Sequence, residues 1–470
     1  MKWKIRLSIL FFLFVQQLNA QIKVACIGAS ITYGALIDQP EKNSYPAQLQ
    51  RMLGKGFQVT NYGVSGTTML RAGDFPYVRT EQYRKALAAA PEIVIIDLGG
   101  NDSKQINRIK LNSFEADARQ LISAFAQLPS RPRIILLLAI PSFQQDTTGI
   151  WDYTITKQVN PHIQQAALDN NVEVLDMHSL FTDQAALMPD QIHPNKLGAT
   201  IMASRVAENI LQKKNVSFNS FKKLPANRQI TAFYGYAAAQ FKYSNRNCIV
   251  VKPRWSAQGN PWVWRARFWG HEPQLDISLL ERGFHIVYCD VAELFGNATA
   301  IKAWDDFYSL LTRSGLGKKP VLEGMSRGAV YALNWAAVNP GKVACVYIDN
   351  PVLDLKSWPA GMGAVKAAPK EFEEFKRAYH LTDSASVAAF AGSPIDKVAQ
   401  IVKGNYPILI LCADADEAVP PAENTKLFVS RMRAQNGKVQ VIHKPGFKHH
   451  PHSLPNPSSI TCFVLQQVKL

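Results

Sequence analysis

The chain has 470 residues, 47% of them hydrophobic and 19% charged, with a formal net charge of +16. That length exceeds what one hydrophobic core supports and implies two domains or three, and the balance of residues excludes a disordered or fibrous protein. No motif interleaves aromatic with basic residues in the manner of an RNA-binding surface, so nucleic acid is not an expected partner.

The N-terminus reads "MKWKIRLSILFFLFVQQLNA": three basic residues, an apolar run from Leu7 to Val15, then a polar stretch ending in Ala20. This is the pattern of a secretory signal peptide over residues 1–20, cleaved after Ala20, and it predicts a secreted or periplasmic protein. The apolar run is short for a bilayer, and no later segment supplies about 20 apolar residues in a row, so no membrane span is expected after signal removal. No cysteine follows the cleavage site, which argues against a lipid anchor there.

In the first half, continuous apolar runs alternate with helical patterns. "KVACIGAS", "FQVTNYGVSG", "EIVIIDLGGND", "RIILLLAIP" and "VEVLDMHSL" read as strands. In "FEADARQLISAFAQL", Phe114, Ala118, Leu121, Ile122 and Phe125 recur at helical spacing. Five such strands separated by helices imply a parallel sheet covered on both faces. Around "KKNVSFNSFKKLPANRQ" the pattern lapses into polar and basic residues, which predicts a linker over 216–228 between domains at 21–215 and 229–470. The second half then begins again with "NCIVVKP", "FHIVYCDV", "KPVLEGMS", "ACVYIDNP", "YPILILCADAD" and "VQVIHKP" as strands, and "AVYALNWAAV" as a helix. This predicts a second doubly wound sheet.

The charge is uneven. Residues 21–215 carry 19 Lys and Arg against 17 Asp and Glu, and residues 216–470 carry 30 against 19, so the basic excess lies in the second half. It suits long-range attraction of an anionic polymer such as a uronic-acid glycan, and equally a plain solubility bias. The cysteines Cys26, Cys248, Cys289, Cys345, Cys412 and Cys462 mostly sit inside apolar runs and match no zinc spacing; free buried thiols are expected, with no cofactor and no metal.

In "CIGASITYG", Ser30 follows the first strand, at the carboxyl end where open α/β sheets place their sites. A serine hydroxyl needs a base near neutral pH, and the compelling one here is His193 in "PDQIHPNKLGA", with Asp190 three residues before it to orient the ring. "NYGVSGTT" offers the N–H of Gly66 and "LGGND" the side-chain amide of Asn101 as oxyanion donors. In this order and at these distances, GASITYG, VSGTT, GGND and DQIH resemble the four blocks of the SGNH (GDSL-type) hydrolases over residues 22–212. The resemblance implies a flavodoxin-like fold. It also implies Ser30 as nucleophile, Gly66 and Asn101 with the Ser30 N–H in the oxyanion hole, His193 as base and Asp190 as orienter. The aspartate that usually precedes the serine is Ala29 in this chain.

"EGMSRGAV" sets a second serine, Ser326, between Gly324 and Gly328 at a strand-to-helix turn, the context of a nucleophile elbow. Downstream, "ILILCADADEAVPPAEN" supplies Asp416, with Asp414 as rival, and "HKPGFKHHPHS" supplies His449, with His450 and His452 as rivals. The order Ser, Asp, His resembles that of the α/β-hydrolases over residues 229–470, and implies Ser326 as nucleophile, Asp416 as acid and His449 as base. The expected oxyanion donors are the N–H of Arg327 and one from the loop "RWSAQGNPWVWRARFWGHEP". The Gly-x-Ser-Arg-x-Gly form is also seen in glucuronoyl esterases, which implies a second oxyanion contact from the Arg327 side chain. Among Trp255, Trp262, Trp264 and Trp269, the faces of Trp262 and Trp264 are candidates for stacking on sugar rings, with core packing as the competing reading.

Together these readings point to a carbohydrate esterase, an EC 3.1.1 carboxylic ester hydrolase. It would remove O-acetyl groups, and a second kind of ester, from an acylated polysaccharide or glycan, with an anionic one suited to the basic second half. The alternatives are a sialate O-acetylesterase and a single active SGNH esterase joined to a catalytically silent, glycan-binding second half.

Overall fold

The structure is a computed structural model that describes residues 21–468. The expected signal peptide therefore lies outside the described residues. No helix among the described residues is long and apolar enough to cross a membrane.

The first half is built on β1 (Ile22–Gly28), β2 (Phe57–Gly63), β3 (Ile93–Asp97), β4 (Arg133–Leu137) and β5 (Glu173–Leu175). These are the five apolar runs of the sequence. They lie parallel in the order β2-β1-β3-β4-β5, a flavodoxin-like sheet. Val24, Cys26, Ile95, Ile135 and Leu175 pack against one layer of helices; Ala25, Ile27, Val94, Ile96 and Leu136 pack against the other. Burial on both faces explains why the inner strands show no alternation of apolar and polar residues, whereas the edge strand β2 is largely only part-buried. The strand order reverses between β1 and β3, which opens a crevice at their carboxyl ends, and Ser30 stands just past β1.

A short antiparallel pair, β6 (Lys214–Asn215) with β10 (Ser256–Ala257), joins this half to the next. The second half has a nine-stranded sheet of β7 (Gln229–Phe233), β8 (Tyr236–Tyr243), β9 (Arg246–Val251), β11 (Trp262–Arg265), β12 (His285–Cys289), β13 (Val321–Met325), β14 (Cys345–Asp349), β15 (Ile408–Ala413) and β16 (Val439–Lys444). Its order is β16-β15-β14-β13-β11-β12-β9-β8-β7, antiparallel from β7 to β12 and parallel from β12 to β16. This is the α/β-hydrolase sheet with one added edge strand.

Two features depart from the sequence reading. Residues 262–265, read as part of a loop rich in Trp and Arg, form the central strand β11. At four residues it is too short for its period to show, and all four are buried. The 216–228 stretch is no loose spacer, because Phe221 and Leu224 are buried in the second half's core. The halves also share ion pairs, one of them buried. Arg205 meets Glu281 at 2.6 Å with both side chains almost fully enclosed, and Arg282 meets Glu208 at 2.7 Å. Five cysteines are buried free thiols, Cys248 facing Cys289 across the β9–β12 pair, whereas Cys462 is exposed.

Candidate active site

At the tip of β1 the helical turn Ser30–Tyr33 begins, so Ser30 stands on the crevice floor. His193 Nε2 lies 2.8 Å from Ser30 Oγ, and its Nδ1 lies 2.6 Å from Asp190 Oδ2. Asp190 Oδ1 accepts from the backbone N–H groups of Ile192 and His193, which fixes the carboxylate against the ring it orients. Partial burial alone would raise the Asp190 pKa, but its bonds from His193 and Ile192 outweigh that and hold it below the usual carboxylate range. A carboxylate on Nδ1–H leaves the lone pair of Nε2 facing the serine.

Asn101 lines the same cavity as Ser30. Among the described residues, the backbone N–H groups of Ser30 and Gly66 donate to no protein acceptor. Asn101 gives one amide hydrogen to the Thr67 carbonyl at 3.1 Å and keeps the other. Asp102, fully buried, ties these pieces together by accepting from Met69 N at 3.0 Å and Leu70 N at 2.8 Å, so the Gly66 loop is anchored to the Asn101 turn. Gly66 has φ +84°, a conformation that a side chain at Cβ disfavours. The cavity over Ser30 holds about 30 Å³ and is walled by Ala139, Ile140, Ile150, Ile155 and Ile192. It has room for a very small acyl group.

In the second half, β13 runs into Ser326, whose φ is +48°, and the helix Gly328–Val338 leaves directly behind it. This strained serine is the apex of the elbow. Gly324 is what permits it: a Cβ there would stand 2.7 Å from Ala329 N. At Gly328 the nearest atom is 3.6 Å away, so the sequence assigned that glycine more than it does. His449 Nε2 lies 3.0 Å from Ser326 Oγ, and its Nδ1 lies 2.7 Å from Asp416 Oδ2. Asp416 accepts from Ala418 N and Val419 N, both at 2.9 Å. The rivals go elsewhere: Asp414 pairs with the exposed His443, and His452 turns to Asp349. The cavity here holds about 410 Å³, lined by Phe268, Trp269, His271, Ser326, His449, His450 and His452.

The Arg327 N–H makes no hydrogen bond within the described residues. Its guanidinium does not reach the serine pocket. It pairs with Glu374 at 3.4 Å and packs over Phe295 and Trp358. The expectation for Trp262 and Trp264 is corrected. Both are wholly buried on β11, where Trp264 stacks on Trp304 at 4.2 Å, because the centre of a sheet covered by helices has no solvent face. Of the four tryptophans considered, Trp269 is the one that lines the cavity, while Trp255 carries Arg133, Lys214 and Arg254 around its ring between the halves.

The sequence reading missed Arg265 and Arg267. Arg265 is enclosed beneath the elbow, 2.6 Å from Asp276 and 3.1 Å from Glu323, and also bonds the Phe268 and His271 carbonyls. It thus fixes the loop that carries the pocket wall. The Arg267 backbone nitrogen stands on that loop near Gly328, with its N–H unclaimed among the described residues. Charged residues inside apolar runs, Arg265 in "WVWRA" and Glu323 in "VLEGM", were the available signal.

A serine, histidine and aspartate stand in one hydrogen-bonded row at strand ends on each of the two sheets, the arrangement that serine hydrolases use. Residues 26–201 match the GDSL-like Lipase/Acylhydrolase family. The chain is 40% identical over 207 residues to an acetylxylan esterase of Xylanibacter ruminicola. The match covers 40% of this chain and 43% of the relative, so the chain spans less than half the length of the curated relative it matches. Among solved structures, a carbohydrate acetylesterase from Sinorhizobium meliloti matches 40% of this chain and 98% of its own, at TM-score 0.34 and 18% identity. An acylaminoacyl peptidase from Pyrococcus horikoshii matches 53% and 43%, at TM-score 0.37 and 14% identity.

Proposed function

We propose that this chain is an exported carbohydrate esterase with one serine site per half: the Ser30 site releases acetyl groups, and the Ser326 site cleaves a second ester of the same decorated polysaccharide. The observation that carries the reading is the pair of Ser–His–Asp rows, 2.8 and 2.6 Å in one half and 3.0 and 2.7 Å in the other. The acetylxylan esterase relative supports acetylated carbohydrate as the substrate class, and the tight apolar cavity over Ser30 supports a small acyl group. A basic second half suits an acidic glycan. Export rests on the N-terminal leader pattern.

The chemistry follows from the row. His193 Nε2 takes the proton as Ser30 Oγ attacks the acetyl carbonyl. The oxyanion that forms is met by the Ser30 and Gly66 N–H groups and the free hydrogen of the Asn101 amide. Asp190 stabilises the imidazolium without taking its proton. That proton passes to the departing sugar oxygen, leaving acetyl on Ser30; a water then gives its proton to His193, attacks the acyl carbon, and acetate leaves as Ser30 Oγ regains a proton. Ser326, His449 and Asp416 repeat the cycle, with Arg327 and Arg267 N–H groups at the oxyanion.

The test is acetate release from acetylated xylan and hydrolysis of 4-nitrophenyl acetate by Ser30→Ala, Ser326→Ala and double-variant proteins. Acetate release should vanish with Ser30→Ala, and 4-nitrophenyl acetate turnover should vanish only in the double variant. A double variant as active as the parent overturns the reading.

A further inference from the structure

Three histidines crowd the mouth of the Ser326 cavity. One ring nitrogen from each of His449, His450 and His452 lies within 4.8 Å of the other two. The ring centroids are 4.9 to 5.0 Å apart, and His271 stands edge-on to His450 and His452 at 6.1 and 5.9 Å. In the sequence the cluster lacks a nearby carboxylate. The fold supplies two: Asp416, past β15, holds His449 Nδ1 at 2.7 Å, and Asp349, at the end of β14, holds His452 Nδ1 at 3.2 Å. A carboxylate on one ring nitrogen fixes the tautomer and turns the other nitrogen's lone pair outward, the outer-shell arrangement of metal-binding histidines. His450 makes no hydrogen bond through its ring among the described residues and is exposed to solvent.

We propose that His449, His450 and His452 bind a zinc-class divalent cation, and that this cation silences the Ser326 site. The inhibitory half of the proposal rests on the reading of His449 as the base for Ser326. Zinc is held by imidazole at about 2.0–2.1 Å in a tetrahedral shell, which sets nitrogens roughly 3.4 Å apart. The three rings would close by about an ångström from their present spacing, with His271 or a water in the fourth position. Asp416 and Asp349 bring two negative charges behind the ligands, although Lys444 at 3.4 Å offsets part of the second. The same His449 lone pair serves either the metal or the Ser326 proton. Occupancy by the cation therefore leaves Ser326 without an acceptor, while Ser30, with its own histidine, is untouched.

The experiment titrates zinc chloride into the full chain at pH 7.5 by calorimetry, and in parallel measures 4-nitrophenyl acetate hydrolysis by the Ser30→Ala and Ser326→Ala proteins. One zinc per chain is expected. His450→Asn should weaken binding about tenfold or more, as loss of a direct ligand must at least match loss of an outer-shell partner. Zinc should inhibit the Ser30→Ala protein and spare the Ser326→Ala protein, and His450→Asn should shift the inhibiting concentration by the same factor as the binding constant. No heat of binding at 100-fold excess of zinc, equal binding by His450→Asn, or equal inhibition of both serine variants would overturn the proposal. If the Ser30→Ala protein has no activity before zinc is added, the second-site reading fails on its own, and calorimetry with His450→Asn still decides the metal site.

Discussion

Asn101→Ala, made in the Ser326→Ala background so that Ser30 alone is read, tests the oxyanion assignment most sharply. Asn101 is buried, and its amide divides its hydrogens between the Thr67 carbonyl at 3.1 Å and the space over Ser30. Removing one preorganised donor from a developing oxyanion costs about 10²–10³ in kcat, or roughly 2.7–4 kcal/mol. The ground-state carbonyl interacts with the donors weakly, so KM for 4-nitrophenyl acetate should change little. Structurally the substitution leaves the Thr67 carbonyl without its partner, at about 1–3 kcal/mol. For a domain of this size that lowers Tm by several degrees, at about 2–4 °C per kcal/mol. Steady-state kinetics at 25 °C, far below unfolding, with a thermal melt on the same sample, separate the two effects. A kcat within about tenfold of the background in a folded protein would refute the placement of Asn101 at the oxyanion.

Asp97→Asn reports on a buried charge. Asp97 is enclosed beside the Ser30 cavity with, among the described residues, only the Thr32 hydroxyl as side-chain partner at 2.8 Å, and burial raises its pKa to about 6. A carboxyl whose folded pKa is raised contributes most below its unfolded value near 3.8, and that contribution is lost as pH rises through about 6, amounting to about 3 kcal/mol at neutral pH. The Tm advantage of Asp97→Asn over the parent should therefore grow between pH 4 and pH 7; an advantage that shrinks over that range contradicts the assignment. Trp264→Ala should cost about 3–5 kcal/mol in stability, since it deletes a wholly buried ring. KM for polysaccharide in whatever folded protein remains should not move, whereas a rise in KM without loss of stability would restore Trp264 to the substrate surface.

Much of the architecture was legible because strands buried on both faces announce themselves as unbroken apolar runs, as "EIVIIDL" and "ILILCA" do. The serines were legible because glycines and short polar blocks punctuate the ends of those runs. What stayed hidden was of two kinds. β11 is too short for its period to be read, so its tryptophans, flanked by Arg265 and Arg267, read as sugar-stacking faces as readily as core; only pairing between β12 and β13 reveals them as core. The β7–β8 hairpin, carrying Gln229 and Gln240 on an exposed edge, lacked the apolar continuity of the inner strands. The register of the histidine cluster was equally hidden: Asp349 lies a hundred residues before His452, and only the sheet brings them together.

The buried pair of Arg205 with Glu281, backed by the β6–β10 ladder, bears on how a long substrate would be handled. A flexible tether would let either serine sweep over the same sugar. Two halves welded through an enclosed charge pair hold their nucleophiles at one fixed separation instead. On the proposed reading, a polymer relieved of one ester would have to slide along the surface or let go and return before the other serine could reach it, so the spacing of its decorations would set how often both serines act in one encounter.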